Sequence, residues 1–309
     1  MELTKLNPLS IFMVLFIAAE INAQDFSIFI LHTNNTNGAL ENCYCPDHPL
    51  GALEKRAVFV NRFMAENPHS ILVDAGDLFT LANRDFKDSL VVEAYKLMPY
   101  DAILPGDQEL VRKEKELSEL LSITGATLVG TNLDSKISGL VPHKIVERNG
   151  INIAILGALD PYALKYYPQE IKDRIILRDP VEAVKETMDL LQDKADIFVA
   201  LTHQGTDLDV EFARKIDGLD IIIGAHSQTL IRNPEKVNGA SIFQAGKDGY
   251  YVGIIEMKLN GKKLLSATGR VEALTLEMPD DPRVMSMITE YEQRTGNINR
   301  RKLQILKGE

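Results

Sequence analysis

The 309-residue chain has no tryptophan, only two cysteines and no excess of positive charge. Each shortage excludes something. Two cysteines cannot build a disulfide framework for a small secreted scaffold. They lie at Cys43 and Cys45 with only Tyr44 between them, and a bridge at that spacing would violate the usual disulfide geometry. Cys-Tyr-Cys-Pro-Asp-His (43–48) also departs from the Cys-x-x-Cys-His pattern of covalent haem attachment. The formal net charge of −10 argues against nucleic acid or an anionic membrane surface as the main partner. It leaves an anionic substrate open, because a bound metal reverses the sign locally. Low-complexity tracts and internal repeats are missing too.

Long apolar runs are scarce. The run Ile11 to Ala19 follows Lys5 and precedes Ile21-Asn22-Ala23, which reads as a secretory signal peptide over residues 1–23. It is shorter than the roughly 20 apolar residues a membrane helix needs. The expectation is a periplasmic or secreted protein with no membrane span after signal removal. An uncleaved N-terminal anchor is the alternative for this segment.

With 45% hydrophobic and 25% charged residues, the remainder is ordinary for a globular domain. Residues 24–275 are long enough for one large core, and 276–309 read as a C-terminal helix and tail. Early strand-like runs alternate with helical patterns at 51–66, 86–97 and 110–121, as in a parallel sheet. Asn149-Gly150 and Asn260-Gly261 sit between strand-like runs and predict hairpins, since Asn-Gly accepts the positive φ of a tight turn. Pro180 and Pro282 stand where a helix tolerates proline, in its first turn. The pattern is mixed α/β.

Four strand-like runs end in groups that can bind a metal. Ile71 to Asp74 runs into Ala75-Gly76-Asp77, and 101–105 into Gly106-Asp107-Gln108. The run 197–201 leads to Thr202-His203, and 220–223 to Gly224-Ala225-His226-Ser227-Gln228. In an open α/β sheet, functional groups gather at the carboxyl ends of the strands. Taken singly, an aspartate after a strand is more often a helix cap or turn former. Together, Asp77, Asp107, His203 and His226 supply two carboxylates and two imidazoles, a first coordination sphere for a divalent transition metal.

These stretches, with Ile30-Leu31-His32-Thr33-Asn34-Asn35, occur in the order found in the metallophosphoesterase (calcineurin-like) superfamily. The chain resembles the catalytic domain of secreted bacterial 5′-nucleotidases. The resemblance implies a metallophosphatase-like sandwich of two mixed β-sheets flanked by α-helices, and a two-metal site for phosphoryl displacement. In its terms Asp77 matches the bridging carboxylate. Asp107 stands where an asparagine is usual, and His203 and His226 match histidine ligands. The ligand set of one divalent ion (Mn, Fe or Zn) is then complete.

The other half of that site departs from the family. Asn35-Thr36-Asn37 replaces Asp-x-His, Gln228 replaces the last histidine, and Gln108 replaces the histidine that acts as general acid. A second metal site, if rebuilt, would draw on Asn35, Gln228, Cys43 and Cys45. Cys-x-Cys-Pro followed by Leu50 to Arg56 resembles a branch of bacterial 5′-nucleotidase-like proteins with a Cys-Gly-Cys loop. A reduced thiol pair with no ligand is the plainer reading. Gln108 and Asn37 are the residues expected to orient phosphate oxygens.

Three functions remain open on the sequence. One is a metal-dependent phosphoester hydrolase acting on a small phosphate ester or nucleotide. The second is a catalytically inactive metal- or ligand-binding protein of the cell envelope with the same fold. The third is a thiol-based metal-handling protein using the Cys43–Cys45 loop.

Overall fold

A computed structural model describes residues 25–134, 136–299 and 302. The expected signal peptide over 1–23 lies outside the described residues. Two mixed β-sheets stack face to face, with helices on both outer sides, as the sequence pattern and the resemblance imply. The first sheet has seven strands in the order Lys263–Ala273, Tyr251–Asn260, Phe26–Thr33, Ile71–Asp74, Ala102–Ile103, Thr127–Val129 and Leu140–Val141. The second has six, in the order Glu235–Val237, Ala240–Phe243, Ile221–Ala225, Ile197–His203, Ile151–Leu159 and His143–Arg148.

Strand periodicity sorts side chains between the layers, because successive residues point to opposite faces. Ile28, Ile30, Ile71 and Val73 meet Val199, Leu201, Ile221 and Ile223 in the apolar layer between the sheets. Leu31 and Leu72 point the other way, into a layer with the helices Leu53–Glu66, Asp85–Tyr95 and Pro282–Thr295. Ala200 and Ile222 pack outward against helices Pro180–Leu191 and Thr206–Lys215. Strands buried on both faces read as continuous apolar runs, which explains Ile-Leu-Val at 71–73 and Ile-Ile-Ile at 221–223.

Direction matters more than order for function. Ile71–Asp74 is parallel to Phe26–Thr33 and to Ala102–Ile103. Ile197–His203 is parallel to Ile151–Leu159 and to Ile221–Ala225. The carboxyl ends of these strands therefore gather at one edge of the sandwich.

Several boundaries differ from the sequence expectation. The first helix starts at Leu53, not at 51, because Gly51 holds φ at +91°. The helix expected over 110–121 is two pieces, Asp107–Leu110 and Glu114–Ser122. Short strands at Leu133–Asp134 and Ile176–Leu177 pair with each other; two residues are too few to show a period. Both Asn-Gly hairpins form. Among the described residues, no helix is long and apolar enough to cross a membrane.

Candidate metal centre

Each sheet delivers two of the four residues. Asp77 and Asp107 follow strands of the first sheet, while His203 ends one strand of the second sheet and His226 follows its neighbour. Their carboxylate oxygens and ring nitrogens lie within 4.8 Å of one another. Bringing them together requires tight backbone packing. A Cβ on Gly76 would sit 2.6 Å from the Gly106 nitrogen, and one on Gly106 would sit 2.6 Å from both Asp77 Oδ1 and His203 Cε1. Glycine at both positions lets the two aspartate-bearing turns touch.

Glu109 ties these turns together. Its Oε2 accepts hydrogen bonds from the backbone N–H groups of Asp77 and Gly106, both at 2.8 Å, and its Oε1 accepts one from Phe79 at 2.9 Å. Burial, with the Asp77 charge nearby, pushes its carboxyl up to about 8. Asp74 is not part of the cluster. It is fully buried, accepts a hydrogen bond from the Gly76 N–H at 2.8 Å, and is also bonded to Thr33 and Tyr95. It shapes the turn that carries Asp77.

His203 is fully buried, and its tautomer follows from its neighbours. Nδ1 lies 2.8 Å from the carbonyl oxygen of Ala75, which can only accept, so Nδ1 carries a proton. Nε2 then faces Asp107 Oδ1 at 2.8 Å and Asp77 Oδ1 at 3.3 Å. His226 Nδ1 approaches the same Asp107 oxygen at 2.9 Å. Between two carboxylates, Nε2 must share either a proton or a cation. Burial opposes the charged imidazole, but Asp77 and Asp107 outweigh it and raise the His203 pKa well above its ordinary value. Burial likewise opposes the Asp107 carboxylate, yet hydrogen bonds from His203 and His226 hold it well below the usual range. Negative and positive groups each stabilise the other.

The spacing suits a cation. Bonds of about 2.0–2.2 Å to nitrogen and oxygen donors put neighbouring ligand atoms about 3.0 Å apart in an octahedron and about 3.4 Å apart in a tetrahedron. The three separations of 2.8, 2.9 and 3.3 Å are edges of that size.

The amide residues form a different kind of site. Asn35 donates from Nδ2 to Asp77 Oδ2 at 2.7 Å, while its Oδ1 accepts from the His226 backbone N–H at 3.1 Å and from Asn34 Nδ2 at 3.0 Å. The backbone donor fixes the orientation of that amide. An N–H group thus occupies the outer oxygen of Asp77, where the resemblance implies a second cation. Asn37 joins Gln108 Nε2 at 2.9 Å to Asp248 Oδ1 at 2.8 Å. Gln108 Oε1 is buried without a partner. Gln228 is exposed and outside the four-residue group. Asn35, Asn37, Asp77, His226, Gln228 and Asp248 all hold positive φ, and left-handed non-glycine backbone tends to cluster at functional sites.

Cys43 and Cys45 lie outside the group of Asp77, Asp107, His203 and His226. The two thiols are not joined in a disulfide. Cys43 lines a cavity of about 260 Å³ with Glu41, Lys87, Tyr250, Tyr291 and Asp248, the last of which bonds Asn37. The Cys43 thiol accepts a hydrogen bond from the Cys45 N–H at 3.2 Å. Burial opposes ionisation there, but the Cys45 thiol first, then the backbone of Leu50 and Cys45 and the Tyr250 hydroxyl, bring the pKa below the ordinary thiol value. The N–H groups of Asn37 and Gly38 bind the carbonyls of Asp77 and Leu78.

Besides Glu109, Tyr167 escaped sequence reasoning. Tyr167 donates its hydroxyl to Asp107 Oδ2 at 2.7 Å. It comes from a loop after the short 3₁₀ turn Pro161–Leu164. The signal available was three tyrosines within six residues, at 162, 166 and 167.

Comparison with known proteins agrees with this architecture. The chain is 25% identical over 281 residues to the trifunctional nucleotide phosphoesterase YfkN of Bacillus subtilis, covering 77% of this chain and 18% of that protein. It is 25% identical over 320 residues to the 5′-nucleotidase of Bos taurus, covering 91% and 55%. The crystal structure of a 5′-nucleotidase precursor from Thermus thermophilus superposes with a TM-score of 0.78 at 23% identity, covering 87% of this chain and 59% of that one. The chain thus spans about half or less of the length of the two curated relatives. No family model matches it. Its homologues are 5′-nucleotidases and calcineurin-like phosphoesterases, and its fold is theirs.

Proposed function

We propose that this chain is a metal-dependent phosphoester hydrolase that works with one divalent cation, held by Asp77, Asp107, His203 and His226. The observation that carries the proposal is the convergence of these four side chains, two from each sheet, at ligand-to-ligand spacing. A divalent cation there supplies Lewis-acid charge to a phosphoryl oxygen and makes a nearby water more acidic.

The chain's own residues set the rest. His203 stays fixed through Ala75, so its Nε2 keeps one direction. Tyr167 holds one oxygen of Asp107 and leaves the other for the centre. Gln108 and Asn37 are the residues that would orient phosphate oxygens, each through the second N–H of an amide whose first is already bonded, to Asn37 and to Asp248. Neither can release a proton at neutral pH. General acid–base help is worth about 10² to 10⁴ in rate, so turnover is slow and favours substrates whose leaving group needs no proton, such as aryl phosphates.

The resemblance makes a small phosphate ester or a nucleotide the substrate class, and Mn, Fe or Zn the metal. A periplasmic or secreted location rests on the pattern in residues 1–23. The amide substitutions at Asn35 and Gln108 favour a second reading, an inactive cation-binding relative. One experiment separates them: hydrolysis of a chromogenic aryl phosphate by the Mn-, Fe- or Zn-loaded protein. The hydrolase reading expects slow turnover that His203→Ala abolishes. Cation binding with no turnover under any of the three metals overturns it in favour of the inactive relative.

A further inference from the structure

The phosphoester chemistry leaves the Cys43–Cys45 loop unused. Asn42 closes the neck of that loop. Its Nδ2 donates to the carbonyls of Pro49 at 3.1 Å and Gly51 at 2.9 Å, and its Oδ1 accepts the Tyr44 N–H at 2.8 Å. The Cys43 N–H binds the Leu50 carbonyl at 2.9 Å. Tyr44, between the two cysteines, is left-handed with φ at +49°, a conformation that a bulky residue rarely holds. Such backbone persists where the surroundings enforce it, and it gathers at ligand clamps.

The outcome is two sulfurs side by side. Cys43 Sγ accepts the Cys45 N–H at 3.2 Å and is in hydrogen-bond contact with the Cys45 thiol. Both cysteines are half-buried, and they are not joined in a disulfide. Cys43 opens on the cavity of about 260 Å³ that Lys87 and Tyr250 also line, so a small ion has access to it. The lowered pKa of Cys43, with the Cys45 thiol as the largest favourable contact against burial, promotes the thiolate, which is the form that ligates a metal.

The spacing that disfavours a disulfide permits a shared ion. A disulfide holds its sulfurs about 2.05 Å apart, whereas two metal–sulfur bonds of about 2.3 Å let them stand roughly 4 Å apart. The donor set then selects the ion. Structural Zn²⁺ takes four ligands. Among the described residues, Asp77, Asp107, His203 and His226 are the one group of three or more candidate ligands, so the thiol pair gathers no histidine or carboxylate to complete a tetrahedron. Two thiolates alone suit a soft monovalent ion, and Cu(I) is the one such donors select.

We infer that Cys43 and Cys45 form a two-sulfur site for one Cu(I) ion. Binding exchanges the two thiol protons for the ion and needs no electron transfer. The site shares no ligand with the centre around Asp77, so it stands or falls independently of the hydrolase reading.

The test uses the full chain without oxygen, with Cu(I) supplied as its complex with bicinchoninate, a chelator whose colour reports the ion it keeps. The protein should take one Cu(I) per chain from the chelator. His203→Ala should take the same amount, because that histidine belongs to the other centre. Cys43→Ser and Cys45→Ser should each weaken binding by more than the about 10–100-fold that loss of a group orienting a ligand costs. Thiol alkylation read by mass spectrometry needs no substitution: one equivalent of Cu(I) should protect both cysteines from iodoacetamide, and the same amount of Zn²⁺ should not. X-ray absorption at the copper edge should show two sulfur neighbours and no nitrogen. Cu(I) left entirely with the chelator overturns the site. So does Cu(I) that binds while both thiols still alkylate, that has nitrogen neighbours, that survives both cysteine substitutions, or that is lost from His203→Ala.

Discussion

The two halves of the cleft share Asp77 but are built on opposite principles. On the inner side, charged groups converge: Asp107, His203 and His226 point at one another, with Tyr167 behind them. On the outer side, neutral amides satisfy each other: Asn35 bonds Asp77, and Gln108 bonds Asn37, which bonds Asp248. The inner half leaves a charge pattern that a cation completes. The outer half is nearly closed as a hydrogen-bond network, with Gln108 Oε1 as its buried unpartnered atom. On the proposed reading, cation binding and proton transfer come apart here: four candidate ligands for the first converge, while Gln108 stands where the resemblance implies an acid.

That contrast can be broken most directly by restoring the acid. Gln108→His places a titratable group beside Asn37 and should raise kcat for an alkyl phosphate ester by about 10²-fold or more, with a smaller gain for an aryl ester. Steady-state kinetics on the two substrates check it, and equal gains on both would argue against a missing acid.

A second prediction concerns pH. Without a cation, Nε2 of His203 carries a proton because its pKa is raised well above the ordinary value by Asp77 and Asp107, despite burial. A cation must displace that proton, so apparent affinity should rise by about tenfold per pH unit through neutrality, with one proton released. Calorimetry in buffers of different ionisation enthalpy measures the release. The same shift sets a stability trend for the metal-free protein. A raised folded pKa stabilises fully below the unfolded value of about 6.5 and is lost as pH rises through the folded value. Metal-free protein should therefore melt at lower temperature as the pH is raised above about 6.5, and saturating cation should flatten that slope.

The smallest expected effect sharpens the inner half. Tyr167→Phe removes one hydrogen bond from Asp107 without opening a large space. Groups that orient metal ligands commonly contribute about 10–100-fold in affinity; a single hydroxyl on a carboxylate should give about tenfold. Cation titration of the variant reads it, and the fold should be unaffected in circular dichroism.

The inner half was legible in the sequence because strand ends are. Apolar runs such as Ile71-Leu72-Val73 and Ile221-Ile222-Ile223 mark buried strands, and parallel strands share an end, so residues far apart in sequence could be placed together. The layered fold was legible for the same reason, helped by the order of the motifs. Glu109 and Tyr167 were harder. Glu109 acts by accepting three backbone N–H groups, and no residue pattern announces which turn a buried carboxylate will brace. Tyr167 reaches Asp107 across 60 positions from a loop without period. The Cys43–Cys45 loop supplies no member of the four-residue group, though Cys43 lines a cavity with Asp248, the partner of Asn37.

The count of bound cations tests the central claim most directly. Native mass spectrometry of the full chain, after exposure to excess Mn or Zn and removal of loose ions, should show one ion per chain, and none in His203→Ala. Two tightly held ions per chain would contradict the account, since Asn35 would then have to surrender its hold on Asp77. No retained ion at all would contradict it equally.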